Sequence, residues 1–281
     1  MSTLNVTNLK NPSASSPGLV LNADGTCSQL GFRNALINGN PIINQRGYAS
    51  GTATSGANQY TLDRWRVVTS GQSITFSDSA NVRTVTAPAG GIEQVIEGLN
   101  ILSGTYVLNW TGTATATVDG TSVAKGGTVT LTGGTNATVR FIGGTFSLPQ
   151  LEPGTVATPF ERRSYGQELS LCQRYFQSMP AFRASSFDAF ISYYGGTIAT
   201  SPDTRFLTTM RATPTGTISN GSVEYYSYSG SWVSTTLVLS PSNSQTFYLY
   251  VASDGDGRGK LMRNGSSGFA ADPIVFFSSE L

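Results

Sequence analysis

Three groups of residues in this chain carry side chains that could do chemistry. Glu93 and Glu97 could act as a paired acid and base in sugar hydrolysis, one protonating the leaving oxygen while the other attacks or activates water. Four positions apart in a strand they would share a face, but their separation is set by the fold; the alternative is two solvated carboxylates near a loop. In Asp63-Arg64-Trp65 the indole could stack on a sugar ring while the carboxylate accepts its hydroxyls. The alternative is a core tryptophan between Leu62 and Val67 whose neighbours form a structural ion pair. Asp254-Gly255-Asp256-Gly257 spaces two carboxylates as a calcium loop does. It lacks the later acidic ligand and runs into Arg258 and Lys260, so it reads as a tight turn before Lys260-Leu261-Met262.

The composition removes other chemistry. Histidine is absent, which excludes a histidine-based triad, a histidine-ligated zinc and an imidazole proton shuttle. Cys27 and Cys172 stand far apart and form no metal-spacing motif, so two free thiols are expected, the alternative being a bridge made after cell lysis. No glycine-rich run ends in the Lys-Ser or Lys-Thr of a phosphate loop. No catalytic residue, metal or cofactor is therefore expected. A net charge of +1 with interspersed signs gives no basic stripe for nucleic acid, and no segment reaches the roughly 18 apolar residues of a membrane helix. The polar stretch Met1–Lys10 lacks the basic start and apolar run of a secretion signal, so synthesis and folding in a cytosol are expected.

The elements that must position any site read as β-structure. With 281 residues, 38% of them hydrophobic and only 12% charged, the chain can build two cores under a surface of Ser, Thr, Asn and Gly. Residues 1–30 read as an arm, because the apolar stretches Leu4–Leu9 and Leu19–Leu21 flank a Pro/Ser/Gly segment and cannot bury a core alone. Residues 31–162 alternate as strands between glycine turns: Ile74–Phe76, Val82–Thr86, Tyr106–Trp110, Thr113–Val118, Thr128–Leu131 and Thr138–Ile142. Residues 163–180 hold one helix signal. Ser164 and Gln167 fit a capping box, and Leu169, Cys172 and Phe176, with Leu171 and Tyr175 beside them, form an apolar face over about three turns, a length that needs tertiary support. Residues 181–281 return to strands, with Phe190–Tyr194, Phe206–Met210, Val223–Tyr228, Trp232–Leu239, Phe247–Val251 and Ile274–Phe277 as candidates. The expected fold is all-β: two antiparallel, jelly-roll-like sandwiches joined by one short helix, after an extended N-terminal arm.

The second sandwich concentrates aromatics. Tyr193 and Tyr194, then Tyr226, Tyr228 and Trp232, are the candidate ligand-binding residues. Alternation puts Tyr226 and Tyr228 on one strand face and Val223 and Tyr225 on the other, and an exposed tyrosine set suits saccharide or protein recognition. Tyrosine is also common in ordinary strands and at subunit interfaces.

Three runs carry a resemblance. Leu148-Pro149-Gln150-Leu151-Glu152-Pro153-Gly154-Thr155-Val156-Ala157-Thr158-Pro159-Phe160-Glu161-Arg162-Arg163-Ser164-Tyr165-Gly166 leads into Glu168-Leu169-Ser170-Leu171-Cys172-Gln173-Arg174-Tyr175-Phe176. The others are Asn34-Ala35-Leu36-Ile37-Asn38-Gly39-Asn40 with Gln45-Arg46-Gly47 and Tyr60-Thr61-Leu62-Asp63-Arg64-Trp65, and Met210-Arg211-Ala212-Thr213-Pro214-Thr215. All resemble bacteriophage tail fibre and fibre-like structural proteins, and the arm resembles the start of some cyanophage fibre proteins. The resemblance implies a carbohydrate-binding-module-like jelly roll followed by a C-terminal β-domain, assembled as a homotrimer in the virion. It implies attachment of residues 1–30 to other tail or baseplate proteins and contact of residues 181–281 with a host-surface glycan. Two alternatives stay open: a tail-associated polysaccharide-degrading enzyme, and an internal baseplate connector without host contact.

Overall fold

The computed structural model describes residues 33–178, 206–217, 276 and 278–281 with their side chains, and elsewhere the backbone of the strands named below. It forms two compact units. The first holds Met1–Ile42, Ala49–Thr61 and Trp65–Ser164; the second holds Ile43–Tyr48, Leu62–Arg64 and Tyr165–Leu281.

In the first unit, β1 (Asn8–Leu9), β2 (Leu19–Leu21) and β3 (Cys27–Ser28) pair in order. Then follow β4 (Gln59–Tyr60), β5 (Arg66–Val67), β6 (Thr75–Ser79), β7 (Val82–Thr86), β8 (Ile92–Ile96), β9 (Gly104–Gly112), β10 (Thr115–Val118), β11 (Thr121–Val123), β12 (Gly127–Leu131), β13 (Ala137–Ile142) and β14 (Thr145–Pro153). They make a six-stranded sheet, β11-β10-β13-β8-β5-β4, and a five-stranded one, β12-β9-β14-β7-β6, with every pairing antiparallel. The chain passes from one sheet to the other at β5–β6, β7–β8, β8–β9, β9–β10, β11–β12, β12–β13 and β13–β14, which is jelly-roll-like connectivity.

Alternation explains which side chains meet between these sheets. Along β13 Ala137, Val139 and Phe141 are buried while Thr138, Arg140 and Ile142 are only half-buried. Phe141 stacks on Phe146 at 4.4 Å between ring centroids, Trp65 lies 5.4 Å from Phe146, and Trp110 meets Phe141 edge-on at 5.4 Å. Such pairs add about 0.5–1.5 kcal/mol each beyond the area they bury. The Trp65 Nε1–H donates to the Asn38 carbonyl at 3.0 Å, so the indole is both packed and satisfied. Turn chemistry matches the register. Asp119 and Gly120, at φ 49° and 79°, close the β10–β11 hairpin, and Ala80 and Asn81, at 48° and 61°, close β6–β7, as two-residue turns with both central residues left-handed require.

The second unit starts with α1 (Tyr165–Gln173), followed by β15 (Phe176–Pro180), β16 (Ser192–Tyr194), β17 (Thr197–Ala199), β18 (Thr204–Arg205), β19 (Thr215–Ser219), β20 (Ser222–Tyr226), β21 (Trp232–Pro241), β22 (Thr246–Ala252), β23 (Met262–Asn264) and β24 (Ile274–Ser278). One sheet is β15-β24-β19; the other runs β16-β17-β22-β21-β20-β23, with β18 also on β22, and all pairs are antiparallel.

The helix is shorter than its apolar spacing implies. It ends at Gln173, and Tyr175 and Phe176 are not part of its face. The Tyr175 N–H turns back to the Cys172 carbonyl at 2.9 Å, a tightened last turn, while the Arg174 and Tyr175 carbonyls accept from the Arg211 and Ser279 N–H groups, each at 2.8 Å. With those carbonyls engaged elsewhere the chain leaves the helix, and Phe176 opens β15.

Candidate functional site

Three clusters of buried polar side chains stand out among the described residues, each built from neighbouring strands or from runs singled out in the sequence. The first lies on the face of the six-stranded sheet opposite its core residues. Glu93 on β8 sits in register with Arg66 on β5 and Arg140 on β13. Arg66 Nε donates to Oε1 at 2.9 Å and Arg140 Nε to Oε2 at 2.7 Å, while the carboxylate side chain is 3% exposed. Arg140 reaches it across Gly91, where a Cβ would stand 2.8 Å from its Cδ. Glu93 is therefore not the solvated loop carboxylate that its surroundings in sequence imply. Each of its oxygens holds a guanidinium, and Glu97 lies beyond the strand at the start of a 3-10 turn over Gly98–Asn100.

The second cluster joins two of the signature runs. Asn34 accepts from the Leu36 and Leu151 N–H groups at 3.1 Å each and donates to the Pro149 carbonyl at 3.1 Å. Gln94 brackets Ile37, taking its N–H at 2.8 Å and donating to its carbonyl at 2.7 Å. Glu152 takes the Thr158 N–H and hydroxyl at 2.7 Å each, and Arg33 lies 3.4 Å away. Gln150 accepts the Glu161 N–H at 2.7 Å, and Arg163 donates to the Leu36 carbonyl at 3.2 Å and also to that of Asn34. The run from Leu148 is thus the second half of β14 and a strap packed on 34–38. Its Pro149 is tolerated because the register shifts between Ser147 and Gln150, with Leu148 at φ 51°.

The third cluster lies within the second unit. Asp63 accepts the Gln45 N–H at 3.0 Å and the Gln45 side-chain amide, which also donates to the Phe176 carbonyl at 2.9 Å. Arg46 lies 3.4 Å from Asp63 and 3.1 Å from Glu280, and Arg64 pairs with the other Glu280 oxygen. Both guanidinium groups lie 3.6 Å above aromatic rings, Arg46 over Phe176 and Arg64 over Tyr175. Burial pushes the Asp63 carboxyl above its ordinary value, against the pull of Arg46 and the Gln45 hydrogen bonds. Burial likewise raises the free Cys172 thiol well above its usual range, helped by the Asp63 charge, so it is a poor nucleophile.

The tripeptide Asp63-Arg64-Trp65 is therefore no ligand spot: all three residues are buried, Trp65 in the aromatic core and the other two in the ionic cluster. Among the aromatics proposed for binding, Tyr193 and Tyr194 fall in β16, and Tyr226 on β20 stands in register with Trp232 on β21. Their side chains, all of Tyr228, and the Asp254–Gly257 turn lie outside the described residues. Among the described residues no group of three or more Cys, Asp or Glu is placed to hold a metal, and no helix is long and apolar enough to cross a membrane. Within the three clusters the charged groups hold one another. The positions that carry these clusters include polar residues inside the signature runs, Asn34, Gln150 and Glu152 among them, and they are buried.

No family profile matches the chain, and no curated protein matches it. Among solved structures, a Paenibacillus sp. cycloisomaltooligosaccharide glucanotransferase complexed with cycloisomaltoheptaose is similar over 86% of this chain and 46% of its own, at 10% identity and a TM-score of 0.21. The chain thus spans about half the length of that protein, and at this level the likeness carries no argument about fold or activity.

Proposed function

We propose that the chain is a non-enzymatic structural component of a phage virion, a tail fibre or baseplate protein that works as a homotrimer and mediates attachment to host-surface glycan. The observation that carries this reading is where the signature runs go. Their polar residues are spent on buried networks that brace β-sheets, as in Asn34 with Pro149 and Leu151, and Arg46 and Arg64 with Glu280. A signature shared for architecture fits a part whose work is mechanical and adhesive.

In this reading residues 1–30 bind neighbouring tail proteins, and residues 181–281 present Tyr193, Tyr194, Tyr226, Tyr228 and Trp232 to the glycan. The facing register of Tyr226 and Trp232 on adjacent strands supports grouping those two as one contact. Weak sites repeated threefold and over several fibres would reach useful avidity where spacing lets them engage together.

Sedimentation of the full chain and its binding to host exopolysaccharide test the reading together. A trimer that binds saturably without releasing reducing sugar is the expected result. A stable monomer, or one that cleaves the polysaccharide, overturns it.

A further inference from the structure

We propose that the outer face of the six-stranded sheet is a binding face for an acidic polysaccharide, on which Arg140 takes a sugar carboxylate. The strand register carries a single row across all six strands. Tyr60 on β4 stands opposite Arg66 on β5, which stands opposite Glu93 on β8; Arg140 on β13 follows, then Thr117 on β10 and Ser122 on β11. At about 4.8 Å from strand to strand the row runs for about 24 Å. Every member carries a polar hydrogen-bonding group, and no aliphatic side chain interrupts it.

Arg140 is held in place and yet accessible. Its stem crosses Gly91, where a Cβ would stand 2.8 Å from Cδ and 2.9 Å from Cγ, so only a glycine there lets the arginine lie down on the sheet. Its head is fixed by Glu93 Oε2, through Nε at 2.7 Å and Nη2 at 2.6 Å. The side chain is still 37% exposed, and Nη1 has no hydrogen-bond partner among the described residues. A half-solvated ion pair contributes little to stability. A donor already immobilised, by contrast, loses little entropy when an acceptor arrives from outside. The row fits one class of occupant. A guanidinium takes a carboxylate as a fork, the Thr117 and Ser122 hydroxyls exchange hydrogen bonds with sugar hydroxyls, and the Tyr60 ring, with the Arg66 guanidinium 5.9 Å from its centroid on the same face, offers a surface for a pyranose. A peptide would come as an added strand or into apolar pockets, and this row has none. Nucleic acid would call for a basic stripe, and the chain carries a net charge of +1. The face uses none of the residues proposed above for host attachment, so either reading can fail alone.

The test uses the full chain with polygalacturonate as the probe and neutral dextran and polyglutamate as controls, followed by titration calorimetry. The wild type should bind polygalacturonate in preference to both controls, and Arg140→Gln should weaken that binding about tenfold or more at an unchanged melting temperature, the scale of one hydrogen bond to a charged group. Absence of binding by the wild type overturns the proposal, as does equal binding by Arg140→Gln. Polyglutamate bound as tightly as polygalacturonate overturns the saccharide assignment. Loss of binding in Trp232→Ala but not in Arg140→Gln overturns this site and leaves the attachment reading standing. Should Arg140→Gln fail to fold, Thr117→Glu decides, since it sets a carboxylate beside Arg140 in the next strand: a similar loss supports the proposal, and unchanged binding overturns it.

Discussion

Arg64 and Glu280 lie 216 residues apart in sequence and form an ion pair with side chains only 1% and 6% exposed. Arg64 sits at φ 70°, in the left-handed region, a backbone strain of about 1–3 kcal/mol for a residue of this size. The strained conformation is held by the pairing and by the Tyr175 ring beneath the guanidinium. Removing Glu280 alone takes a carboxylate from two guanidinium groups, Arg46 and Arg64, which is costlier than removing Arg64 and Glu280 together. Glu280→Ala should destabilise the chain by about 3–5 kcal/mol in urea unfolding, and Arg64→Leu with Glu280→Leu should cost less than Glu280→Ala alone.

The Asp63 carboxyl titrates in the opposite sense from a usual salt-bridged acid. Its folded pKa is raised above 3.8, so the folded state takes up the proton first. Its contribution to stability is fully present below 3.8 and is lost as pH rises through the folded value. The stability of wild type relative to Asp63→Asn should therefore increase on acidification from neutrality towards 3.8, read as denaturation midpoints across that range. A difference that is flat with pH would contradict the burial argument.

Glu93 is held from both sides, yet its partners are partly solvated, with Arg66 at 19% and Arg140 at 37% exposed. Glu93→Leu should cost about 2–4 kcal/mol, because two guanidinium groups lose their carboxylate at a covered site. Arg140→Ala should cost about 1 kcal/mol or less, since its charge is the better screened. Chemical denaturation of the two variants orders them.

Gly112 ends β9 at φ 125°, and a Cβ there would stand 2.2 Å from the Thr145 carbonyl oxygen. Backbone cannot yield as a side chain can. Gly112→Ala should lower stability by at least about 3 kcal/mol and reduce soluble yield, whereas Gly120→Ala, with open space around it, should show only the smaller cost of its left-handed turn, about 1 kcal/mol.

Under the proposed attachment role, Tyr226→Ala and Trp232→Ala should each weaken glycan binding by about tenfold while leaving the melting temperature within a few degrees. Loss of binding only together with loss of folding would assign both residues to the core instead.

Much of the first unit was legible in the sequence: β10, β12 and β13 fall where apolar residues recur every second position, β9 where Tyr106–Trp110 reads as a buried strand, and β7 in the β-branched run Val82–Thr86. β8 was not, because Ile92–Ile96 is buried on both faces, so its sequence shows no alternation and its glutamate reads as solvated. β14 hid behind Pro149 and Pro153, which a strand reading rejects unless a bulge excuses one of them. The helix was overextended because Phe176 is as good an apolar residue for a strand as for a helix. The ionic cluster was the least legible part. Asp63 with Arg64 suggests a local pair, yet the partner of Arg64 comes from the far end of the sequence, and no local pattern encodes that.

The composition of the second unit has a practical consequence for anyone transplanting it into another chain. Because it includes Ile43–Tyr48 and Leu62–Arg64, a chimera exchanging only residues 165–281 would import a new Glu280 against resident arginines. The transferable cassette is discontinuous: the stretch from position 165 onward must travel with Gln45, Arg46, Asp63 and Arg64.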